Sequence, residues 1–120
     1  MLTNQEISEG LINLPKEIAT AEELVEDTRH TYEKAALQLK ATEAKAKLEL
    51  KADNLKKKKL SDKQIDHQID QDCLSERIAL LTMESKYKKA KANMSRLIRE
   101  HDSMKALAYL KQREMKSGID

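Results

Sequence analysis

Apolar side chains recur along most of this chain at alternating spacings of three and four residues. Such a 3.5-residue repeat places one apolar seam along each helix and is typical of paired helices. The pattern therefore predicts two long helices joined along their seams. The first seam comprises Ile18, Ala21, Val25, Thr28, Tyr32, Ala35, Leu39, Thr42 and Ala46, and the second comprises Glu76, Leu80, Met83, Tyr87, Ala90, Met94, Leu97, His101, Met104 and Ala108.

The repeat changes register near the end of the first seam. Beyond Ala46 the apolar positions move to Leu48, Ala52 and Leu55. A shift of this kind predicts a stutter in the pairing of the two helices.

Residues that begin or end helices divide the chain into three predicted helices. Thr3 and Glu6 have the spacing of a capping box, and Pro15 is expected to end the helix that they start. We therefore predict a short helix over about 4–13 and a long helix over about 15–57.

A turn is predicted at about 58–61, after a run of lysines that suits the C-terminal end of a helix. Ser61 is a suitable N-cap for a long helix over about 62–116, with Gly118 as a stop. Ile65, Ile69 and Cys73 lead into the second seam. Because no glycine marks the turn, one continuous helix is the alternative.

Charge favours an antiparallel arrangement. Residues 1–30 carry a net charge of −5 and residues 84–116 a net charge of +6. A fold-back near residue 59 aligns positions whose numbers sum to about 118, which brings Tyr32 beside Tyr87 and Leu39 beside Leu80. The predicted fold class is all-α: one domain over 1–120, a long antiparallel two-helix coiled-coil hairpin with a short N-terminal helix. A swapped antiparallel dimer fits the same pairs.

The amino-acid composition supports a helical fold and argues against some classes of function. Charged residues make up 37% of the chain, aromatic residues 2%, and there are two glycines and one proline. This composition is typical of long helices. The net charge of +2 gives little support for nucleic-acid binding. One cysteine, no apolar run long enough to cross a membrane and no signal-like start lead us to expect a soluble cytoplasmic protein.

The four lysines Lys56, Lys57, Lys58 and Lys59 are the candidate for a nucleic-acid contact. Lysines at an exposed tip can bind phosphates, but no aromatic residue lies among them to stack on bases. A solvated helix end is the favoured interpretation, and phosphate binding is the alternative.

No residue pattern predicts catalysis, a metal site or a cofactor. Asp62, Asp66 and Asp70 with His67 could hold a cation, but they also complement a helix N-terminus and the facing lysines. Cys73 has acidic neighbours that disfavour its thiolate, so we interpret it as a packed thiol. We therefore expect a protein that is not an enzyme and needs no cofactor.

A protein partner is the favoured function. Leu74, Ile78 and Leu81 form a second apolar line on the last helix, and the end of that helix extends beyond its predicted mate. A homodimer or higher oligomer would also use such surfaces, and no membrane contact is expected. The candidate protein interface is Leu74, Ile78, Leu81, Met104, Leu107 and Leu110.

Two stretches resemble a group of small helical-hairpin proteins of phage recombination and replication gene clusters. The stretch 14–18, LPKEI, is similar to their N-terminal "LPxEI" start, and 76–82 is similar to their "ExRxxxLxxLT" stretch. The resemblance implies a phage or prophage accessory protein in a bacterial host cell, docking on a nucleic-acid-processing or host protein. Direct DNA or RNA binding through Lys56–Lys59 and a structural stalk or spacer are the other two hypotheses.

Overall fold

The computed structural model describes residues 2–57 and 60–116, and these residues form three α-helices with no strand among them. Helix α1 spans Asn4–Lys57 (54 residues), α2 spans Asp62–Asp72 (11 residues) and α3 spans Leu74–Lys116 (43 residues). The all-α prediction is confirmed for the described part of the chain.

Helix α1 continues through Pro15, so the structure has no separate short helix over 4–13. A proline inside a helix removes one backbone hydrogen bond and crowds the preceding turn. Here Pro15 lies on the exposed side of the helix, while Ile7, Leu14 and Ala21 are buried at intervals of seven residues. The apolar seam runs unbroken past Pro15. Burial of the seam residues before and after the proline therefore offsets the free energy that the proline costs the helix.

Both predicted N-caps are present. The hydroxyl of Thr3 accepts a hydrogen bond from the backbone N–H of Glu6 and donates one to that residue's carboxylate. Ser61 accepts from the N–H of Gln64, whose side chain accepts in return from the N–H of Ser61. The second pair is a complete capping box, which satisfies two N–H groups at the start of α2.

The predicted helix over 62–116 is interrupted at Cys73, which separates α2 from α3. The buried positions Ile65, Ile69 and Cys73 are spaced by four residues. Each four-residue step turns about 40° beyond a full circle on a regular helix, so such a line drifts away from its neighbour. At Cys73 the backbone departs from helical values (φ −99°, ψ 8°), although its N–H still donates to the carbonyl oxygen of Ile69.

The chain divides into two compact units, one of residues 1–27 and 88–120 and the other of residues 28–87. In the first unit Leu14, Ala21 and Leu97 form a buried cluster, with Ile18, Met94 and Met104 packed against it. Low residue numbers of α1 meet high ones of α3, as between Gly10 and Met104 and between Asn4 and Lys111. The two segments therefore run in opposite directions within this unit.

The second unit, residues 28–87, has its own apolar cluster of Leu39, Ile65, Ile69 and Cys73. Ala46, Leu50 and Leu80 pack against that cluster. The rings of Tyr32 and Tyr87 stack with centroids 6.0 Å apart and planes 20° apart, which confirms the predicted pairing of these two residues. Here too the contacting segments run in opposite directions.

The predicted shift of register after Ala46 is wrong. Leu48 and Leu55 are 71% and 80% exposed, whereas Leu50 packs against the core. The seam thus continues through positions 39, 43, 46 and 50 without a stutter. The leucines at 48 and 55 belong to a different face of α1, because each lies nearly half a turn around the helix from the seam.

Candidate functional site

The α3 apolar line, Leu74, Ile78 and Leu81, is open to solvent within the unit of residues 28–87. The three side chains are 56%, 55% and 64% exposed. Their spacing of four and three residues puts them on one face of α3, beside the seam position Leu80 that packs towards α1. The structure therefore keeps these candidate residues together, outside the core.

The other three candidate interface residues lie in the unit formed by 1–27 and 88–120, and they differ from one another. Met104 packs against the cluster of Leu14, Ala21 and Leu97 and touches Gly10. Leu107 is half-buried, and Leu110 is 52% exposed. Met104 and Leu107 line one groove, together with Leu2 and Arg99.

The end of α3 lies beside the first residues of the chain as far as Lys111. The ammonium group of Lys111 donates to the carbonyl oxygen of Leu2 (3.3 Å) and to Oδ1 of Asn4 (2.7 Å). Because α1 does not end at Pro15, its first turn lies beside this part of α3. The ammonium of Lys111 thus links α3 to the start of α1.

Arg77 is the centre of a polar cluster that sequence reasoning missed. Its guanidinium donates to Oε1 of Glu43 from Nε (3.1 Å) and Nη2 (2.9 Å), and to Oδ1 of Asp70 from Nη1 (2.7 Å). These hydrogen bonds raise the pKa of the Arg77 guanidinium above its usual value. Glu43 is part-buried and Asp70 is exposed, so the two carboxylates differ in their access to water.

Thr42 and Glu76 were predicted to lie in the two seams, and the structure corrects both predictions. Thr42 and Glu76 are exposed, and the half-buried positions are Glu43 and Arg77. Arg77 follows Cys73 by four residues, as Glu43 follows Leu39. This four-residue spacing indicates that Glu43 and Arg77 belong to the seams. Thr42 was predicted in place of Glu43 because it is neutral. Glu76 was predicted in place of Arg77 because it continues the 3–4 repeat back from Leu80. An arginine and a glutamate can occupy facing seam positions because the guanidinium donates hydrogen bonds that the carboxylate accepts.

The thiol of Cys73 lies beneath this polar cluster and is 1% exposed. Burial raises the pKa of the Cys73 thiol, and Glu76 and Glu43 raise it further, while Arg77 lowers it. A raised pKa keeps the thiol protonated and a poor nucleophile at neutral pH. Its contacts with Leu39, Ile65 and Ile69 are those of a core residue.

The predicted meeting of lysines with acids is visible in one groove of this unit. Lys40 and Lys47 of α1 line it together with Asp66 and Asp70 of α2 and Arg77 of α3. The ion pairs within the groove are those of Arg77 with Glu43 and Asp70. Opposite charges therefore face each other here, in agreement with the antiparallel register.

The residues considered for metal binding take other partners or positions. His67 hydrogen-bonds to Gln71 (3.3 Å), and Asp70 pairs with Arg77. Across 2–57 and 60–116, no group of three or more His, Cys, Asp or Glu side chains could hold a metal ion.

Lys58 and Lys59 lie outside the described residues, and of Lys56 and Lys57 only the helical backbone is described. Nearby, the N–H of Leu60 donates to Oδ1 of Asn54 (2.7 Å).

None of the described helical segments is both long and apolar enough to cross a membrane. Comparisons with protein-family models, with curated protein sequences and with solved structures gave no match. The surfaces described above are therefore the basis for any functional proposal.

Proposed function

We propose that this protein is a non-enzymatic helical-hairpin interaction protein that docks on another protein through the α3 apolar line, Leu74, Ile78 and Leu81. One observation carries the proposal. These three side chains are more than half exposed although the core beside them is already closed by α1. Uncovered apolar residues that lie together on one helix face are typical of protein-binding sites.

The coiled-coil hairpin itself is part of the proposal. It is supported by the antiparallel contacts within each unit and by the stacking of Tyr32 on Tyr87. A rigid helix is a suitable scaffold for such a site, because its side chains need little reordering when a partner binds.

The partner class follows from the resemblance to phage accessory proteins, which favours a nucleic-acid-processing or host protein in a bacterial cytoplasm. We expect no cofactor, because the surface itself provides the apolar contacts that such docking needs.

Affinity capture from a bacterial lysate with matched variants tests this function. The triple variant Leu74→Gln, Ile78→Gln and Leu81→Gln removes the line while leaving the buried seam unchanged. The control variant, Ile12→Gln and Met115→Gln, changes two exposed residues outside the candidate interface. Quantitative mass spectrometry should find a protein that the wild type and the control retain and the triple variant loses. If no captured protein depends on the line, the proposal is wrong.

A further inference from the structure

Helix α1 carries a second apolar face that the seam does not use. Leu37, Leu48 and Leu55 are 68%, 71% and 80% exposed. Three exposed alanines, at 41, 44 and 52, lie between them. At about 100° per residue, all six positions fall within an arc of about 80°. We call these six residues the α1 outer stripe.

The outer stripe lies on the side of α1 that faces away from the core of residues 28–87. Leu39, Ala46 and Leu50 pack in that core. The mean direction of these three residues is about 180° from that of the stripe. This part of α1 is therefore apolar on two opposite faces, of which the described residues of the unit cover one.

Lysines border the outer stripe on both sides. On the helix surface Lys40, Lys47 and Lys51 lie along one side, and Lys34 and Lys45 lie along the other. None of these five forms an ion pair with another residue in the described part of the chain. Two acids, Glu33 and Glu49, also lie along the border, and Glu33 pairs with Arg29. Lys40 and Lys47 also line the groove that holds Asp66 and Asp70. The five lysines outnumber the acids along the border, which is therefore basic.

We propose that the α1 outer stripe binds one acidic amphipathic helix of a partner protein. The spacings of three and four residues between the three leucines and three alanines match the apolar seam of a second helix. Acidic residues beside that seam would meet the lysines of the border, so charge would select an acidic partner.

Other occupants fit these observations less well. A second copy placed stripe against stripe would oppose lysines with lysines, which disfavours pairing. Helices that lie on membranes carry wide faces of bulky and aromatic side chains, whereas half of this narrow stripe is alanine. The stripe is also separate from the α3 apolar line, so this proposal does not depend on the function proposed above.

Fluorescence anisotropy with the full chain and a designed peptide tests the proposal. The probe is a labelled peptide of four heptads, with Leu at positions a and d and Glu at positions e and g. The matched peptide has Lys at e and g. We expect the acidic peptide to bind at least about tenfold more tightly than the basic one, and its affinity to fall as salt is raised.

The double variant Leu48→Gln and Leu55→Gln should weaken binding of the acidic peptide at least about tenfold. Because both residues are exposed, circular dichroism should show the helix content of the wild type. Leu74→Gln with Leu81→Gln is the control and should bind as the wild type does. Equal binding of the two peptides, no binding, or binding that survives the Leu48 and Leu55 changes would overturn the proposal.

Two further measurements separate the competing occupants. Binding to phosphatidylglycerol vesicles that requires Leu48 and Leu55 would assign the stripe to a membrane surface. A doubled mass in light scattering that the same variant abolishes would assign it to a second copy. Either result contradicts the proposal, and loss of peptide binding only in the Leu74 and Leu81 variant would assign binding to the α3 line instead.

Discussion

Arg77 and Glu43, 34 residues apart in sequence, are joined by two hydrogen bonds of 3.1 and 2.9 Å from one guanidinium to one carboxylate oxygen. The same guanidinium holds Asp70 at 2.7 Å. We expect Arg77→Met to lower the melting temperature, because it leaves Glu43 without its ion-pair partner at a part-buried site.

A double-mutant cycle measures how Arg77 divides its interaction between the two carboxylates. Coupling with Glu43→Gln should exceed coupling with Asp70→Asn, because Asp70 is the more exposed and water screens its charge. Equal coupling in both cycles, from urea unfolding, would contradict the assignment of Glu43 to the seam.

Leu48 and Leu50 test the register of the seam. Leu50 packs against the cluster of Leu39, Ile65 and Ile69, whereas Leu48 is 71% exposed. Leu50→Ala should cost about 1–2 kcal/mol, less than a fully buried leucine, and Leu48→Ala under about 0.5 kcal/mol. The free energies of unfolding from denaturant titration compare the two. A larger loss of unfolding free energy in Leu48→Ala than in Leu50→Ala would support the shifted register instead.

The capping box of α2 gives a prediction about its start. Ser61→Ala removes the acceptor for the N–H of Gln64 and should destabilise the protein by about 1 kcal/mol. Ser61→Asp keeps an acceptor and is the control, with stability near that of the wild type. Hydrogen exchange at the first N–H groups of α2 should accelerate in the alanine variant alone, and unchanged exchange would mean that the cap contributes little.

Gly10 lies against the side chain of Met104. A methyl group at position 10 would lie 3.2 Å from Cε and 3.3 Å from Sδ of that residue. Gly10→Ala should gain less than the usual helix-propensity benefit of about 1 kcal/mol, because the methionine must move. In a Met104→Ala background the full benefit should return. Equal gains in both backgrounds, measured by thermal unfolding, would show that the methionine does not restrict the site.

Cys73 makes stability depend on alkaline pH. Burial raises the pKa of its thiol in the folded protein, whereas the unfolded chain ionises near the ordinary value of 9.0. The folded state therefore binds more protons above that pH, and stability is full below it and falls as pH rises towards the folded pKa. The slope between about pH 8.5 and 10 should be shallower in Cys73→Ala. Identical slopes would show that the thiol does not contribute.

Local patterns in the sequence predicted much of the fold. The 3–4 repeat located both long helical regions, Ser61 marked the start of α2, and the antiparallel register placed Tyr32 beside Tyr87. These features depend on residues near one another in sequence, or on a periodicity kept over many turns, and both can be recognised without a structure.

The features that the sequence did not reveal depend on competition between local and distant effects. Pro15 normally ends a helix, but burial at Leu14 and Ala21 continues across it. The break at Cys73 has no glycine or proline to mark it. Leu48 was assigned to the seam because it is apolar. Glu43 was left out of the seam because it is charged. Whether each residue lies in the seam depends on the side chains that face it from the other helix. The pattern of one helix alone does not show those side chains.

The central claim is that the helices pair within one chain in an antiparallel register. Oxidation of a variant with Tyr32→Cys and Tyr87→Cys, in a Cys73→Ala background, tests it most directly, with Leu48→Cys and Tyr87→Cys as the matched control. At low protein concentration, non-reducing electrophoresis should show the first variant cross-linked as a single chain and the control not cross-linked. A cross-linked dimer, or no cross-link in the first variant, would contradict the claim.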